Sequence, residues 1–150
     1  MTQIRWNDLL IENVSDPNLR LPEILRYWDW LLTGRFGPHA LSKFGDCFFQ
    51  RPDGSIHVLD VVEGEVRLVA DSHSAFMLLV NTQSWQEENL LSFLIWQMHE
   101  LNMIPTQYQS YAFKLHPILG GDFTPENVII MEMPIWQHIC SELHKQVRRT

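Results

Sequence analysis

The sequence lacks most of the features that mark secreted, metal-bound or membrane-inserted chains. It has only two cysteines, Cys47 and Cys140, without CxxC spacing, which excludes a disulfide scaffold and a paired-cysteine zinc site. Residues 1–8 lack the basic segment and apolar core of a secretory signal. The longest apolar run, 75–80, is far shorter than the ~20 residues that span a bilayer. We therefore expect a cytoplasmic protein with free thiols and no membrane partner.

Basic residues are also scarce. The formal net charge is −7, from 11 Lys and Arg against 18 Asp and Glu. Lys145, Arg148 and Arg149 lie in the last six residues, so residues 1–144 carry 8 cations and 18 anions, a net of −10. Such a body repels phosphate backbones, so we expect no direct nucleic-acid binding. The negative charge either serves solubility alone or suits a basic protein partner.

What the sequence does contain is the apolar content of one globular domain, with 45% hydrophobic residues over 150 positions. Periodicity, turn residues and capping residues predict an α+β fold, an antiparallel β-meander with flanking helices in a single domain. The predicted elements are a helix over 22–32, strands over 44–50, 56–62 and 65–70, helices over 72–81 and 84–102, strands over 108–115 and 128–133, and a final helix from Pro134.

Two arrangements could in principle carry cysteine or metal chemistry. Cys47 lies in a predicted strand, and His57 could approach it across the hairpin, which would activate a thiolate. Cys140 and His144 are spaced i, i+4 on the last helix and share a face. A free cysteine in a strand is usually a buried apolar residue, and two soft ligands on one turn do not complete a zinc site. We expect no catalytic residue, no metal and no cofactor.

Carboxylate pairs and glycines lead to the same conclusion. Glu63 and Glu65 flank a turn, which does not supply the burial that acid–base catalysis requires. The Gly120-Gly121 pair is not part of a phosphate-binding motif, and Asp122 beside it would repel phosphate. Two glycines favour a sharp bend instead. The residue chemistry alone therefore predicts a non-enzyme, with Trp85, near a predicted helix start, as the tryptophan expected to be exposed.

A resemblance to a known family adds a function to this fold. The stretch 111–128, with Leu119-Gly120-Gly121 at its centre, resembles the bacterial type VI secretion immunity proteins, whose named members protect a cell against a DNase effector. Other similar segments are Trp28-Asp29-Trp30-Leu31-Leu32, Phe44-Gly45-Asp46-Cys47-Phe48-Phe49, His57-Val58-Leu59-Asp60 with Gly64-Glu65, and His144-Lys145-Gln146-Val147. On this resemblance, residues 1–27 are an N-terminal helical extension and residues 28–150 an immunity-like α+β domain.

The resemblance implies an antitoxin that binds a cognate secreted toxin, a nuclease effector, and occludes its active site. A nuclease cleft is basic, so the partner is expected to be a basic protein. We place the interface on acidic turns with one aromatic anchor, namely on Asp53, Glu63, Glu65, Asp122, Glu126 and Trp85. The alternatives are a regulatory or scaffold module that binds a small ligand or peptide, and an enzyme that depends on Cys47 and His57. Oligomeric state is left open.

Overall fold

The computed structural model describes residues 4–149, and its centre is a five-stranded antiparallel sheet in which each strand pairs with the next one along the chain. The helices are α1 Trp6–Leu9, α2 Leu21–Arg26, α3 His73–Val80, α4 Gln83–Asn89, α5 Ser92–Glu100 and α6 Met133–Arg149. The strands are β1 Leu10–Ile11, β2 Gly37–Ser42, β3 Cys47–Gln50, β4 Ile56–Asp60, β5 Glu65–Ala70, β6 Gln109–Phe113 and β7 Val128–Glu132. Strands β6 and β7 form a separate two-stranded hairpin. No helix in residues 4–149 is both long and apolar enough to cross a bilayer.

The predicted α+β meander is confirmed, and it is larger than expected. Strands β3, β4 and β5 are the three predicted strands, but β2 was not predicted, because Gly37 and Pro38 are typical of the end of a helix. The β2–β3 register shifts between Pro38 and Ala40. A proline beside such an irregularity does not have to supply a ladder hydrogen bond, so the strand tolerates it.

The N-terminal residues belong to the same layers as the rest of the chain. The described part of the predicted helical extension, residues 4–27, contributes α1, α2 and also the strand β1. Leu10 of β1 pairs with Ser42 of β2, and Leu9 and Leu21 are buried in the common core. Residues 1–3, and residue 150 at the other end of the predicted domains, lie outside the described residues.

The predicted helix over 84–102 is wrong, because the chain forms two helices there. The backbone of Leu91 is left-handed, with a φ of 54°, and this residue separates α4 from α5. Thr82, and not Ser84, occupies the position before the first helical residue. Because the chain changes direction at this break, Leu90 is buried and Leu94 of α5 is also buried in the core. Packing therefore overrides the uninterrupted helical pattern.

The C-terminal helix joins the sheet to the β6–β7 hairpin through buried polar contacts. The indole Nε1 of Trp136 donates to the carbonyl of Phe44 over 2.8 Å, and the amide of Gln137 donates to the carbonyl of Gly45 over 2.6 Å. Trp28 in turn donates to Gln137 over 2.9 Å. Since Gly45 has a φ of 100°, the bend after Phe44 that presents these carbonyls to α6 suits glycine.

Candidate functional site

The predicted acidic residues are exposed, but they do not form one continuous surface. Asp53 lies in the turn between β3 and β4, whereas Glu63 and Glu65 lie at the turn between β4 and β5. Strand β4 runs from one turn to the other and is antiparallel to both neighbours. Asp53 is therefore at the opposite end of the sheet from Glu63 and Glu65, and one compact partner contact does not include all three.

Asp122 and Glu126 lie in the loop between β6 and β7, and both are exposed. Asn127 holds this loop closed, since its amide group donates to the carbonyls of Leu115 and Asp122 and accepts from the Leu115 N–H, each over 2.9 Å. The sequence contains no signal for this clamp, because an Asn before a strand has many possible partners. Its effect is to present the two carboxylates from an ordered loop.

The prediction that Trp85 is exposed is wrong. Its ring is half-buried and packs against Phe48 and Phe76, with ring centroids 5.8 and 6.1 Å away. Among the six tryptophans the exposed one is Trp96, at 39%, which stacks on the more exposed Phe93 at 6.2 Å. The reason is the break at Leu91, which turns α4 onto the sheet and leaves the outer face of α5 in solvent.

The segments that carry the family resemblance meet in a buried polar cluster beneath the β4–β5 turn. The carboxylate of Asp46 accepts from the Val61 N–H over 2.9 Å. The carboxylate of Asp60 accepts from the N–H groups of Val62 and Glu63 over 3.0 and 2.9 Å and pairs with Arg67 over 2.6 Å. Burial, together with the nearby Asp60 charge, raises the pKa of Asp46 well above its ordinary value. These carboxylates shape the turn.

His144 of α6 connects that turn to the β6–β7 loop. Its Nε2 donates to the Val61 carbonyl over 2.9 Å, and its ring lies edge-on to His116 with centroids 5.3 Å apart. A side chain at Gly64 would place its Cβ 2.3 Å from Nδ1 of His144, so only glycine fits there. The guanidinium of Arg148 also donates to the Gly64 carbonyl. The acidic turn with Glu63 and the loop after His116 therefore lie at the same end of the molecule.

Both cysteines are buried. Cys47 pairs with Leu59 and His57 with Phe49, so Cys47 and His57 are diagonal neighbours in the sheet, roughly 7–8 Å apart. Burial raises the pKa of the Cys47 thiol to about 12, with Asp46 adding to the shift. Cys140 is buried too, and burial raises the pKa of its thiol above the ordinary value. Within residues 4–149 no three His, Cys, Asp or Glu side chains are grouped to hold a metal ion.

An apolar groove of about 450 Å³ lies between the β6–β7 hairpin and α6, and we call it the hairpin groove. Its lining includes Leu115, Leu119, Ile129, Met131 and Ile139. Leu119 is 55% exposed and Ile139 is 44% exposed. Further large apolar side chains are exposed on the loop and on α6, namely Ile118, Phe123 and Ile135. Exposed apolar side chains around a groove are typical of a site of interaction.

His116 makes the stability of the fold depend on pH. Its Nδ1 accepts from the Ile118 N–H over 3.1 Å, while its buried Nε2 has no hydrogen-bond partner among the described residues. Burial, with the neighbouring His144 as a second cause, lowers the pKa of His116 to about 4. In the unfolded chain His116 binds a proton near pH 6.5, its ordinary pKa, whereas in the folded chain it binds the proton only near pH 4. The stabilisation is present above 6.5 and is lost as pH falls towards 4.

We expect the free energy of unfolding, measured with urea at about pH 7.5 and about pH 5, to fall less on acidification in His116→Gln than in the unchanged protein. The raised pKa of Asp46 has the opposite effect on the pH dependence of stability, but it is present in both proteins. The difference between the two proteins therefore measures the contribution of His116. Equal losses for the two proteins would show that His116 does not titrate in this window.

Comparisons with known proteins support the fold and provide no family name. No protein-family model matches the chain, and no curated protein matches it. Among solved structures, the crystal structure of Atu4351 from Agrobacterium tumefaciens matches with a TM-score of 0.56 at 13% sequence identity. The match covers 91% of this chain and 68% of that one. At this identity the two proteins share an architecture, and nothing about their activities follows.

Proposed function

We propose that this chain is an immunity protein that binds a cognate secreted bacterial toxin, a nuclease effector of a type VI secretion system, and covers its active site. The observation that carries the proposal is the apolar hairpin groove, which is lined by Glu142 of α6 and by part of the β6–β7 loop that exposes Asp122 and Glu126. His144 of the same helix reaches Val61 in the turn that exposes Glu63. An apolar patch rimmed by charge is the composition of a protein interface. The resemblance of stretch 111–128 to the immunity proteins supplies the class of partner.

The charge distribution supports a basic partner. Residues 1–144 carry a net charge of −10, and a nuclease cleft that binds phosphates is positive. Opposite charges on two surfaces accelerate their encounter and disfavour wrong partners. A carboxylate-rich surface can also occupy the positions that substrate phosphates take. Inhibition then requires no catalytic group in the inhibitor.

Charge reversal tests where the interface lies. We expect the double variant Glu63→Lys with Asp122→Lys to slow association with the toxin by about tenfold or more at low salt, because both carboxylates lie at the proposed interface. Asp53→Lys is the control for the single variant Glu63→Lys, since each changes the net charge by +2 and Asp53 is an exposed turn carboxylate at the opposite end of the sheet. Stopped-flow association at two salt concentrations measures the effect. If Asp53→Lys slowed association equally, the effect would come from the net charge of the protein and not from carboxylates at the proposed interface.

Growth provides the functional test. We expect the gene next to that of this chain to encode the toxin. That gene is expressed in a host with and without this chain, and the expected result is rescue of growth together with a stable complex on purification. A double variant carrying Leu119→Asp and Ile139→Asp, which introduces charge into the hairpin groove, is expected to fold and to lose rescue. If the unchanged protein neither rescues growth nor forms a complex with the toxin, the proposal is contradicted.

A second candidate is a regulatory or scaffold module that binds a small ligand or peptide. It is favoured by another groove of about 580 Å³, whose lining includes Trp6, Glu87, Phe93 and Trp96. This groove has the aromatic surface and the few polar groups that ligand sites combine. Trp96→Ala separates the two functions, because it alters this groove and leaves the hairpin groove intact. Rescue of growth that persists in Trp96→Ala assigns protection to the hairpin end.

A further inference from the structure

Strand β7 leaves one row of its backbone groups unpaired among the described residues. The N–H of Tyr111 on β6 donates to the Lys43 carbonyl over 2.8 Å, so it points away from β7. Tyr111 faces Ile130, and this pair is therefore one of those that exchange no hydrogen bonds. In an antiparallel ladder the N–H and C=O of Ile130 must then point outward from the hairpin, because the bonded and non-bonded pairs alternate.

The neighbouring contacts agree with this register. Lys114 donates to the Asn127 carbonyl over 2.8 Å and Met133 donates to the Tyr108 carbonyl over 3.1 Å, so alternate positions on β7 and its flanks face β6. The N–H of Glu132 accordingly points outward together with that of Ile130. In residues 4–149 the sheet that contains β7 has two strands only, and no third strand takes up these groups.

This edge lacks several of the features with which proteins protect an exposed strand. The strand reads Val128-Ile129-Ile130-Met131-Glu132, with no proline, no lysine and no irregularity in its register. An unprotected, β-branched edge is a template for a further strand. Recognition by strand addition uses such an edge, with main-chain bonds supplying affinity and alternate side chains entering pockets.

The hairpin groove provides the pockets that strand addition requires. Ile129 and Met131 line it from β7, and Ile139 lines it from α6. Since side chains alternate along a strand, an added strand would direct every second residue towards this apolar surface. The partner segment is therefore extended, with an apolar residue at every second position.

The charges around β7 indicate which residues the bound segment carries between its apolar ones. Glu126 precedes the strand, Glu132 ends it and Glu142 lines the groove, whose lining also includes the cation Lys114. Since Glu132 and Met131 are neighbours on β7 and point to opposite faces, lysine or arginine between the apolar residues would lie on the face of Glu132. A second copy of this chain fits less well, because pairing β7 with itself would bring two sets of carboxylates together.

We infer that the outer edge of β7 and the hairpin groove bind an extended segment of the partner protein, with alternating apolar and cationic residues, as a third strand beside β7. This inference rests on the proposed function only in taking the partner to be a protein. It names the mode of binding and the kind of sequence that is bound, which the acidic turns alone do not specify.

The test uses the whole ¹⁵N-labelled protein and the peptide acetyl-Lys-Val-Lys-Val-Lys-Val-Lys-amide at about 1 mM, which detects affinities down to the millimolar range. We expect the amide exchange of Ile130 and Glu132 to slow by about tenfold or more, since an added strand occupies both N–H groups. The peptide with Glu in place of Lys is the control and is expected to leave both amides unchanged. Unchanged exchange with the Lys peptide, or equal protection by both peptides, would overturn the inference.

Two variants locate the contact. Ile130→Pro removes an outward N–H and leaves the ladder to β6 in place, and Ile139→Asp introduces a charge into the groove. Both are expected to abolish protection at Glu132, whereas Leu78→Asp, at a 75% exposed leucine on α3, retains it. If Ile130→Pro disturbs the hairpin, Ile139→Asp alone decides. If the protein neutralises the toxin but does not bind the peptide, only this inference is contradicted. If it binds the peptide but does not neutralise the toxin, the proposed function is contradicted.

Discussion

Trp136→Ala is expected to lower the free energy of unfolding by about 3–5 kcal/mol, the usual range for truncating a buried aromatic side chain. Trp136 is 1% exposed, and its ring contacts Phe113 and His116 with centroids 6.2 and 5.5 Å away. Truncation also leaves the Phe44 carbonyl without its donor. Domains of this kind are stable by roughly 5–15 kcal/mol, so the variant is expected to be marginal at best.

Urea unfolding followed by circular dichroism measures this change, and two variants separate its causes. Trp136→Phe keeps an aromatic ring and removes the indole donor, so it is expected to cost about 1–3 kcal/mol for the unpaired carbonyl. Trp96→Ala removes an exposed tryptophan and is expected to cost under about 1 kcal/mol. Equal losses for Trp136→Ala and Trp96→Ala would contradict a central role for α6 in holding the sheet and the hairpin together.

Gly121→Ala is expected to destabilise the β6–β7 loop by about 1–3 kcal/mol or more, because the added methyl has no space. A Cβ at Gly121 would lie 1.7 Å from the Leu115 carbonyl oxygen and 2.9 Å from Nδ2 of Asn127. The first of these atoms belongs to the backbone, so the loop must move as a unit. That movement breaks the bonds with which Asn127 closes the loop.

The neighbouring glycine supplies the control for this effect. Gly120 has a φ of 98° but, within the described part of the chain, open space around its Cβ position. Gly120→Ala therefore carries backbone strain of roughly 1–2 kcal/mol and no collision. Amide hydrogen exchange of residues 115–127 distinguishes the variants, since only Gly121→Ala should open the whole loop. A larger effect at Gly120 than at Gly121 would show that backbone angle, and not close approach, makes glycine necessary in this loop.

Local sequence signals predicted the fold where they agreed with tertiary packing. The turn at Pro52-Asp53-Gly54 and the turn at Gly64 lie where they were expected, because proline and glycine restrict the backbone at short range. The strand from Gly37 was missed because its signals are those of a helix end. The break at Leu91 was missed because a leucine in a left-handed conformation has no local signature.

The candidate site was less predictable, since it depends on contacts between distant residues. Exposure of Glu63 and Asp122 followed from their turn positions, but the position of the Glu63 turn beside α6 depends on His144 reaching Val61, 83 residues away along the chain. The burial of Trp85 depends on the same kind of long-range contact. The pairing register that exposes the Ile130 backbone follows from the bond between Tyr111 and Lys43. Periodicity does not encode these contacts, which form only when distant parts of the chain fold together.

Titration of the purified toxin with this protein tests the proposed antitoxin function most directly. Nuclease activity on plasmid DNA is measured as the protein is added to a fixed amount of the neighbouring gene's product. We expect a linear loss of activity that ends at a fixed molar ratio, and a shallower, salt-sensitive loss for Glu63→Lys but not for Asp53→Lys. Full toxin activity in an excess of the protein, or inactivation by amounts far below the toxin concentration, would contradict neutralisation by stoichiometric binding.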